Sequence, residues 1–105
     1  MIFTTVRVER PEGTVALSGV AVQIEGALPS DSVEADLAGA RPYDLFWVYT
    51  SQGVPLVPLL RRDVLFDEQN VDSETGLPAK YRIVGMVETF EQDHQEALCE
   101  RVVGR

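Results

Sequence analysis

The sequence is short of the residues that usually carry redox, metal and acid–base chemistry. It has one cysteine, Cys99, and one histidine, His94, among 105 residues. A single cysteine cannot form an intrachain disulfide, so the fold does not depend on an oxidising compartment. The spacing of His94 and Cys99 matches no zinc-site template. We therefore predict no metal ion and no cofactor, with a surface histidine and a half-buried thiol instead.

Positive charge is also scarce. Lysine and arginine number 9 against 17 aspartates and glutamates, which gives a formal net charge of −8 and a pI near 4.5. A protein that holds a phosphate backbone needs a basic footprint, so this balance argues against adhesive binding to nucleic acid. An acidic surface keeps a protein soluble, or lets nucleic acid slide past without sticking.

Long apolar runs are missing. No window approaches the roughly 20 apolar residues that a membrane span needs, and the first ten residues, "MIFTTVRVER", contain no apolar run of signal-peptide length. We therefore expect a soluble protein made in a cytoplasm. The chain length predicts that residues 1–105 form a single domain.

Motifs for enzymatic chemistry do not occur. There is no serine elbow, phosphate-cradling glycine loop or dinucleotide fingerprint. The stretch from Asp67 to Glu74 has oxygen-bearing side chains at alternate positions, as calcium loops do. However, its sixth position is Asp72 and its twelfth is Pro78, where a calcium loop has glycine and glutamate. We predict that the protein is not an enzyme and that this stretch is a solvated acidic hairpin.

Alternating apolar residues indicate a series of short strands separated by turn signals. In the stretch 15–25 the alternation changes phase across Ser18-Gly19, which indicates a β-bulge or a bend. The stretch 27–42 is a long loop with at most two helical turns, and the stretch 93–105 is compatible with a helix or a strand. Five or six strands in this pattern predict an all-β fold, either a small compact β-barrel or a sandwich with long loops.

The stretch 43–51, "YDLFWVYTS", is the strongest strand candidate. Phe46 and Val48 share one face and Trp47 lies on the other, and both faces are apolar, so neither is simply solvated. One face should meet the core, and the other a helix, a second sheet or a neighbouring subunit. Trp47 is therefore a core or an interface residue. The candidate interface residues of this strand are Phe46, Trp47 and Val48.

Three segments from Arg61 onward follow a familiar order: "RRDVLFDE", then "KYRIVGMVETF", then "DHQEALCER". This order resembles the small head–tail joining proteins of tailed bacteriophages, also called head-closure or stopper proteins. That family has a "D-x-L" strand, a "Y-x-V-x-G" strand and an "H-x-E" segment. The matching residues are Asp63, Leu65, Tyr81, Ile83, Gly85, His94 and Glu96. The match covers about the last 45 residues, with Arg62 standing where a glycine is usual.

The resemblance implies a compact β-barrel that assembles as a sixfold or twelvefold ring beneath the portal and its adaptor in a virion. It implies a channel that retains the genome until ejection, a docking face for the tail, and no catalytic residues or cofactors. Packaged DNA would pass without sequence-specific binding. The acidic hairpin tip would then make contacts as well, so Asp72, Glu74 and Leu77 join the candidate interface.

Two other functions stay open. A tail terminator or another tail-ring subunit shares the barrel class and the ring habit, and only its location in the particle differs. A small barrel that binds single-stranded nucleic acid would use Tyr43, Trp47 and Tyr49 as stacking platforms, although the shortage of positive charge weighs against it.

Overall fold

The computed structural model describes residues 2–27, 45–51, 53, 55–71, 73, 75–85, 87–91 and 93–102. They form seven strands: β1 (Ile2–Glu9), β2 (Val15–Gly26), β3 (Leu45–Thr50), β4 (Val64–Val71), β5 (Pro78–Ile83), β6 (Glu88–Phe90) and β7 (His94–Val102). Within these ranges no helix is long and apolar enough to cross a membrane. Nearly all of the loop predicted for 27–42 lies outside the described residues.

Six of the strands close into an antiparallel barrel in the order β3-β2-β1-β4-β5-β7, and β7 pairs back onto β3. Strand β6 lies outside this ring and pairs with the first three residues of β7. Closure satisfies the backbone edges that an open sheet would leave free. The prediction of an all-β fold is confirmed, and its form is a barrel.

The phase change in β2 is a β-bulge. Val6 pairs with Val20, but Val8 pairs with Leu17, so β2 contributes one residue more than β1 between these pairs. Gly19, with φ of 66°, lies in the extra stretch. Glycine adopts this left-handed conformation without the clash that a side chain brings. The bulge predicted at Ser18-Gly19 is confirmed.

Strand β7 resolves the ambiguity of the C-terminal segment, because His94–Val102 is a strand rather than a helix. Ala97 and Cys99 lie in the main core inside the barrel. Leu98 belongs to a second, smaller cluster with Leu45 and Val84. The core members with the least exposed side chains are Val6, Val8, Val22, Ile24, Val48, Leu65, Ile83, Ala97 and Cys99.

The antiparallel strands define two ends of the barrel. At one end, β3 is joined to β4 by a segment from which Leu59 inserts into the main core. Leu59 is the buried residue among those described between 51 and 62. We name this the Asp63 end, after the residue that precedes β4. The opposite end holds the β4–β5 connection, and we name it the Asp67 end.

Candidate docking surfaces

Closure of the barrel turns two of the predicted interface residues inward. Val48 is 0% exposed within the main core, so its side chain offers no surface to another subunit, and its inclusion in the interface needs correction. Phe46 packs against the same core, and its ring meets the Tyr81 ring edge-on at a centroid distance of 5.5 Å. The physical reason is the pairing of β3 with both β2 and β7, which gives this strand one inner face.

Trp47 lies on the outer face of β3 and is half-buried. It packs against the second cluster, formed by Leu45, Val84 and Leu98. Its ring also stacks on the Tyr49 ring at 6.5 Å between centroids. Neither face of this strand is simply solvated, as predicted. However, within the described residues the outer face packs on this cluster and not on a helix or a second sheet, and Trp47 is partly exposed.

The stretch after Phe66 includes a β-hairpin, because Val71 of β4 pairs with Pro78 of β5. At its tip Gly76 has φ of 70°, and Leu77 is 51% exposed. Asp72 and Glu74, the other two predicted interface residues of this tip, lie outside the described residues. Leu77 remains available as a contact residue.

Large apolar side chains are exposed at both ends of the barrel. The Asp63 end carries Leu56, which is 100% exposed, beside a groove of about 400 Å³ that Pro55 and residues of β2 also line. The Asp67 end carries Phe3, which is 68% exposed. The other large apolar residues that are exposed at the Asp63 end are Val15, Val57, Leu60 and Phe90. Those at the Asp67 end are Ile2, Val71 and Leu77.

A buried ion pair holds the Asp63 end together. Arg10 Nη1 donates to Asp63 Oδ2 over 2.6 Å, and the backbone N–H of Leu60 donates to the same oxygen over 2.8 Å. Arg10 Nη2 also donates to the carbonyl of Pro58. These bonds tie the β1–β2 turn to the segment that crosses this end. The other carboxylate oxygen, Oδ1, is buried without a hydrogen-bond partner among the described residues.

Neutral donors surround the second buried aspartate. Thr4 Oγ1 donates to Asp67 Oδ1 over 2.6 Å, and Asn70 Nδ2 donates to Oδ2 over 2.8 Å. The backbone N–H of Gln69 donates to Oδ1 as well. Asp67 is 0% exposed. The prediction that the acidic stretch is solvated is therefore wrong for Asp67, whose place on β4 faces the barrel interior.

The residues that carry the phage resemblance do not gather at one site. Asp63, Leu65, Tyr81 and Ile83 are buried in the barrel. Gly85 follows β5, where its N–H donates to the carbonyl of Leu98. These positions build the barrel rather than a binding pocket. Arg62, which stands where the family has a glycine, has φ of 77°, the left-handed region that glycine occupies most easily.

His94 and Cys99 have unrelated surroundings. Hydrogen bonds to Glu96 and then to Asp93 raise the pKa of His94, and its ring stacks on Phe90 at 5.0 Å. Cys99 is fully buried, and burial raises the pKa of its thiol. The expected half-buried thiol is thus a core residue, whereas the histidine lies partly at the surface as predicted. Within the described residues no group of three or more His, Cys, Asp and Glu is placed to hold a metal ion.

A basic groove, which the sequence interpretation missed, lies on the barrel wall at the Asp63 end. Its volume is about 530 Å³, and Arg61, Arg62 and Arg82 line it beside Pro11 and Val84. All three arginines are exposed. The sequence feature that could have indicated this groove is the adjacent pair Arg61-Arg62, in a chain with few basic residues. We call the five residues the basic groove.

An acidic hairpin projects at the same end, formed by β6, the turn after it and the start of β7. Glu88 pairs directly with Glu96 across the two strands. Glu91 has φ of 47° in the turn, and Asp93 is exposed. We call residues 88–96 the acidic hairpin, of which residue 92 lies outside the described residues.

Comparisons of this chain with known protein families, with curated proteins and with solved structures found no match.

Proposed function

We propose that this protein is a structural virion protein of a tailed-phage neck. Its subunits form a sixfold or twelvefold ring that joins the portal and its adaptor to the tail, and the ring helps to retain and then release DNA through its channel. The observation that carries the proposal is the exposure of large apolar side chains at both ends of the barrel, with Leu56 at one end and Phe3 at the other.

Two apolar ends suit a protein that lies between two different neighbours. Exposed apolar patches mark interaction sites, and the two ends carry different exposed apolar residues. A subunit in a stacked ring meets one partner above and another below, in addition to its copies at the sides. The arrangement of apolar residues therefore supports a joining role more directly than a role with one binding face.

The closed barrel supports the same role. Because six strands pair around the ring, association of the barrel wall uses side chains, barrel ends and loops; among the described strands, only the outer strand β6 pairs on one side alone. A rigid unit of this kind can pack head to tail around a closed ring. The net charge of −8 also suits a channel wall that DNA passes without sticking.

The backbone of Arg62 supports the resemblance to head–tail joining proteins. Its φ of 77° is the conformation that the family's usual glycine would adopt without strain. The turn before β4 is thus compatible with the family pattern even though the residue differs. Leu65, Tyr81 and Ile83, which match the family's strand positions, are all core residues.

Electron microscopy of virions tests the proposal by placing this subunit in the density of the neck. A ring of this barrel between the portal complex and the tail is the expected result. A ring elsewhere in the tail would favour the tail terminator or another tail-ring subunit. Absence of the subunit from purified particles would overturn the structural role.

Two substitutions test which barrel ends are docking surfaces. Leu56→Asp and Phe3→Asp should each leave a folded barrel, because both side chains are exposed, and each should block the joining of heads to tails. Glu68→Gln, on the exposed barrel wall, is the control and should leave joining intact. Normal particle yield with both apolar variants would contradict the assignment of the ends.

A further inference from the structure

Two of the three guanidinium groups in the basic groove have no ion-pair partner among the described residues. Arg82 Nη2 lies 2.9 Å from Glu100 Oε2. In the part of the chain that the structure describes, Arg61 and Arg62 enter no ion pair. Two neighbouring cations on a surface repel each other and attract an anionic partner. The groove is therefore suited to acidic groups from another molecule.

The acidic hairpin has an excess of negative charge. Glu88 and Glu96 are direct cross-strand neighbours, and like charges in this position destabilise a pair of strands. His94 contacts Glu96, but no ion pair joins Glu88 or Glu91 to a cation within the described ranges. A cation supplied from outside would relieve the repulsion.

Backbone strain marks the same two places. Among the described non-glycine residues, positive φ occurs at Arg62, in the basic groove, and at Glu91, in the turn of the acidic hairpin. Residues other than glycine rarely adopt a positive φ, and such backbone strain concentrates at functional positions. Glycine would relieve it at either position. The strained residue is a cation in the groove, Arg62, and an anion in the hairpin, Glu91. Charged residues of opposite sign at these two positions favour a role for the charges in binding.

We propose that the acidic hairpin of one copy docks into the basic groove of a second copy, in a head-to-tail contact. The partner is another copy because one chain carries both complementary surfaces, and no ion pair in the described residues joins them within that chain. Such a heterologous contact closes into a ring or continues as a chain, depending on its angle. The contact does not rest on the virion role, although it would supply a side-to-side contact for a ring.

Two charge-reversed variants of the full chain test the contact. The groove variant carries Arg61→Glu and Arg62→Glu, and the hairpin variant carries Glu88→Arg and Glu91→Arg. Sedimentation velocity should show concentration-dependent self-association of the wild-type protein. Each variant alone should associate at least about tenfold more weakly, because like charges then face each other.

An equal mixture of the two variants is the decisive sample. The acidic hairpin of the groove variant complements the basic groove of its partner, and the basic hairpin of the other variant complements the reversed groove. The mixture should therefore regain the association that each variant lost. Glu68→Arg changes the net charge on the barrel wall away from both surfaces and should associate like the wild type.

Several outcomes would overturn the contact. The first is that the wild-type protein stays monomeric throughout the concentration series. The second is that the variants associate as strongly as the wild type. The third is that the mixture does not regain association. If the groove variant does not unfold cooperatively, Arg61→Gln with Arg62→Gln replaces it. Association should again be weaker than for the wild type, because the attraction between groove and hairpin is removed. Binding of a single-stranded oligonucleotide by the wild type, lost in the groove variant, would assign the groove to phosphate groups and also reject the contact. These measurements use purified protein, so a negative result would reject the hairpin–groove contact without rejecting the proposed place of the protein in the phage neck.

Discussion

The two ends of the barrel bury an aspartate each, but the two carboxylates are stabilised in different ways. At the Asp63 end the partner is a guanidinium group, Arg10, and the contact crosses from the β1–β2 turn to the segment before β4. At the Asp67 end the donors are the Thr4 hydroxyl, the Asn70 amide and a backbone N–H. One end therefore depends on a charge pair and the other on neutral hydrogen bonds.

The difference shows what burial requires of an ionised group. A buried charge is tolerated when it is paired or fully hydrogen-bonded. Removal of a single charged partner leaves a whole charge uncompensated, whereas removal of one neutral donor leaves the others in place. The Asp63 end should therefore be more sensitive to a single substitution than the Asp67 end.

The largest effect is expected for Arg10→Met. Loss of the guanidinium should lower the free energy of unfolding by about 3–5 kcal/mol, because Asp63 would remain buried without a charge partner. Urea denaturation measures this change. The double variant Arg10→Met with Asp63→Asn should recover part of the loss, since the amide is neutral and still accepts from Leu60.

The matched control for that change is Arg7→Met. Arg7 pairs with Glu9 and Glu68 at the surface, with 32% of its side chain exposed, and its guanidinium lies 4.5 Å from the centre of the Phe66 ring. Exposed pairs contribute about 0–1 kcal/mol. Equal losses for the two arginine variants would remove the proposed difference between buried and exposed pairs.

At the Asp67 end, Thr4→Val should have a smaller effect. The substitution removes one donor from Asp67 Oδ1 and should lower the free energy of unfolding by about 1–3 kcal/mol. Thr4→Ser keeps the hydroxyl and should lose less. A loss for Thr4→Val that exceeds the loss for Arg10→Met would reverse the comparison between the ends.

A third substitution at the Asp63 end should stabilise the protein. Arg62→Gly relieves the left-handed backbone at this residue and should raise the free energy of unfolding by up to about 1 kcal/mol. Arg61→Gly, without positive φ, should bring no such gain. Thermal unfolding of both variants measures the difference, and a stabilisation shared equally by both would show that strain at Arg62 is not its cause.

The smallest effect concerns His94. Its pKa is raised in the folded protein, chiefly by the hydrogen bond to Glu96 and then by the one to Asp93, above an unfolded value of about 6.5. The stabilisation from these contacts is therefore fully present below about pH 6.5 and is lost as the pH rises through the folded pKa. NMR titration of the histidine ring measures that pKa.

Glu96→Gln should bring the pKa of His94 back toward its ordinary value. The control is Glu88→Gln, because Glu88 lies across from Glu96 but forms no hydrogen bond with the histidine. An unchanged titration in Glu96→Gln would show that the carboxylate is not the main cause of the shift.

Local patterns predicted the features that neighbouring residues decide. The change of phase at Ser18-Gly19 marks a bulge because an extra residue reverses which side chains face inward, and the alternation records it. The hairpin between Val71 and Pro78 was visible for a similar reason, since polar and glycine-containing stretches separate strands.

Contacts between distant residues explain the wrong predictions. Val48 and Trp47 both lie in a strand that is apolar on both faces, and alternation alone does not say which face points to the barrel interior. Asp67 has the composition of a surface acid, but pairing of β4 with β1 places it opposite Val6 and beside Thr4. The basic groove was missed because Arg82 joins Arg61 and Arg62 only through the pairing of β4 with β5.

The sequence by itself determined an all-β domain, the position of its bulge and its excess of negative charge, because composition and alternation are local properties. Only the tertiary structure decided that β3 and β7 close the sheet, that two aspartates are buried, and that arginines gather in one groove. These features depend on which strands pair and in which register. Each strand is compatible with several partners until the whole barrel closes.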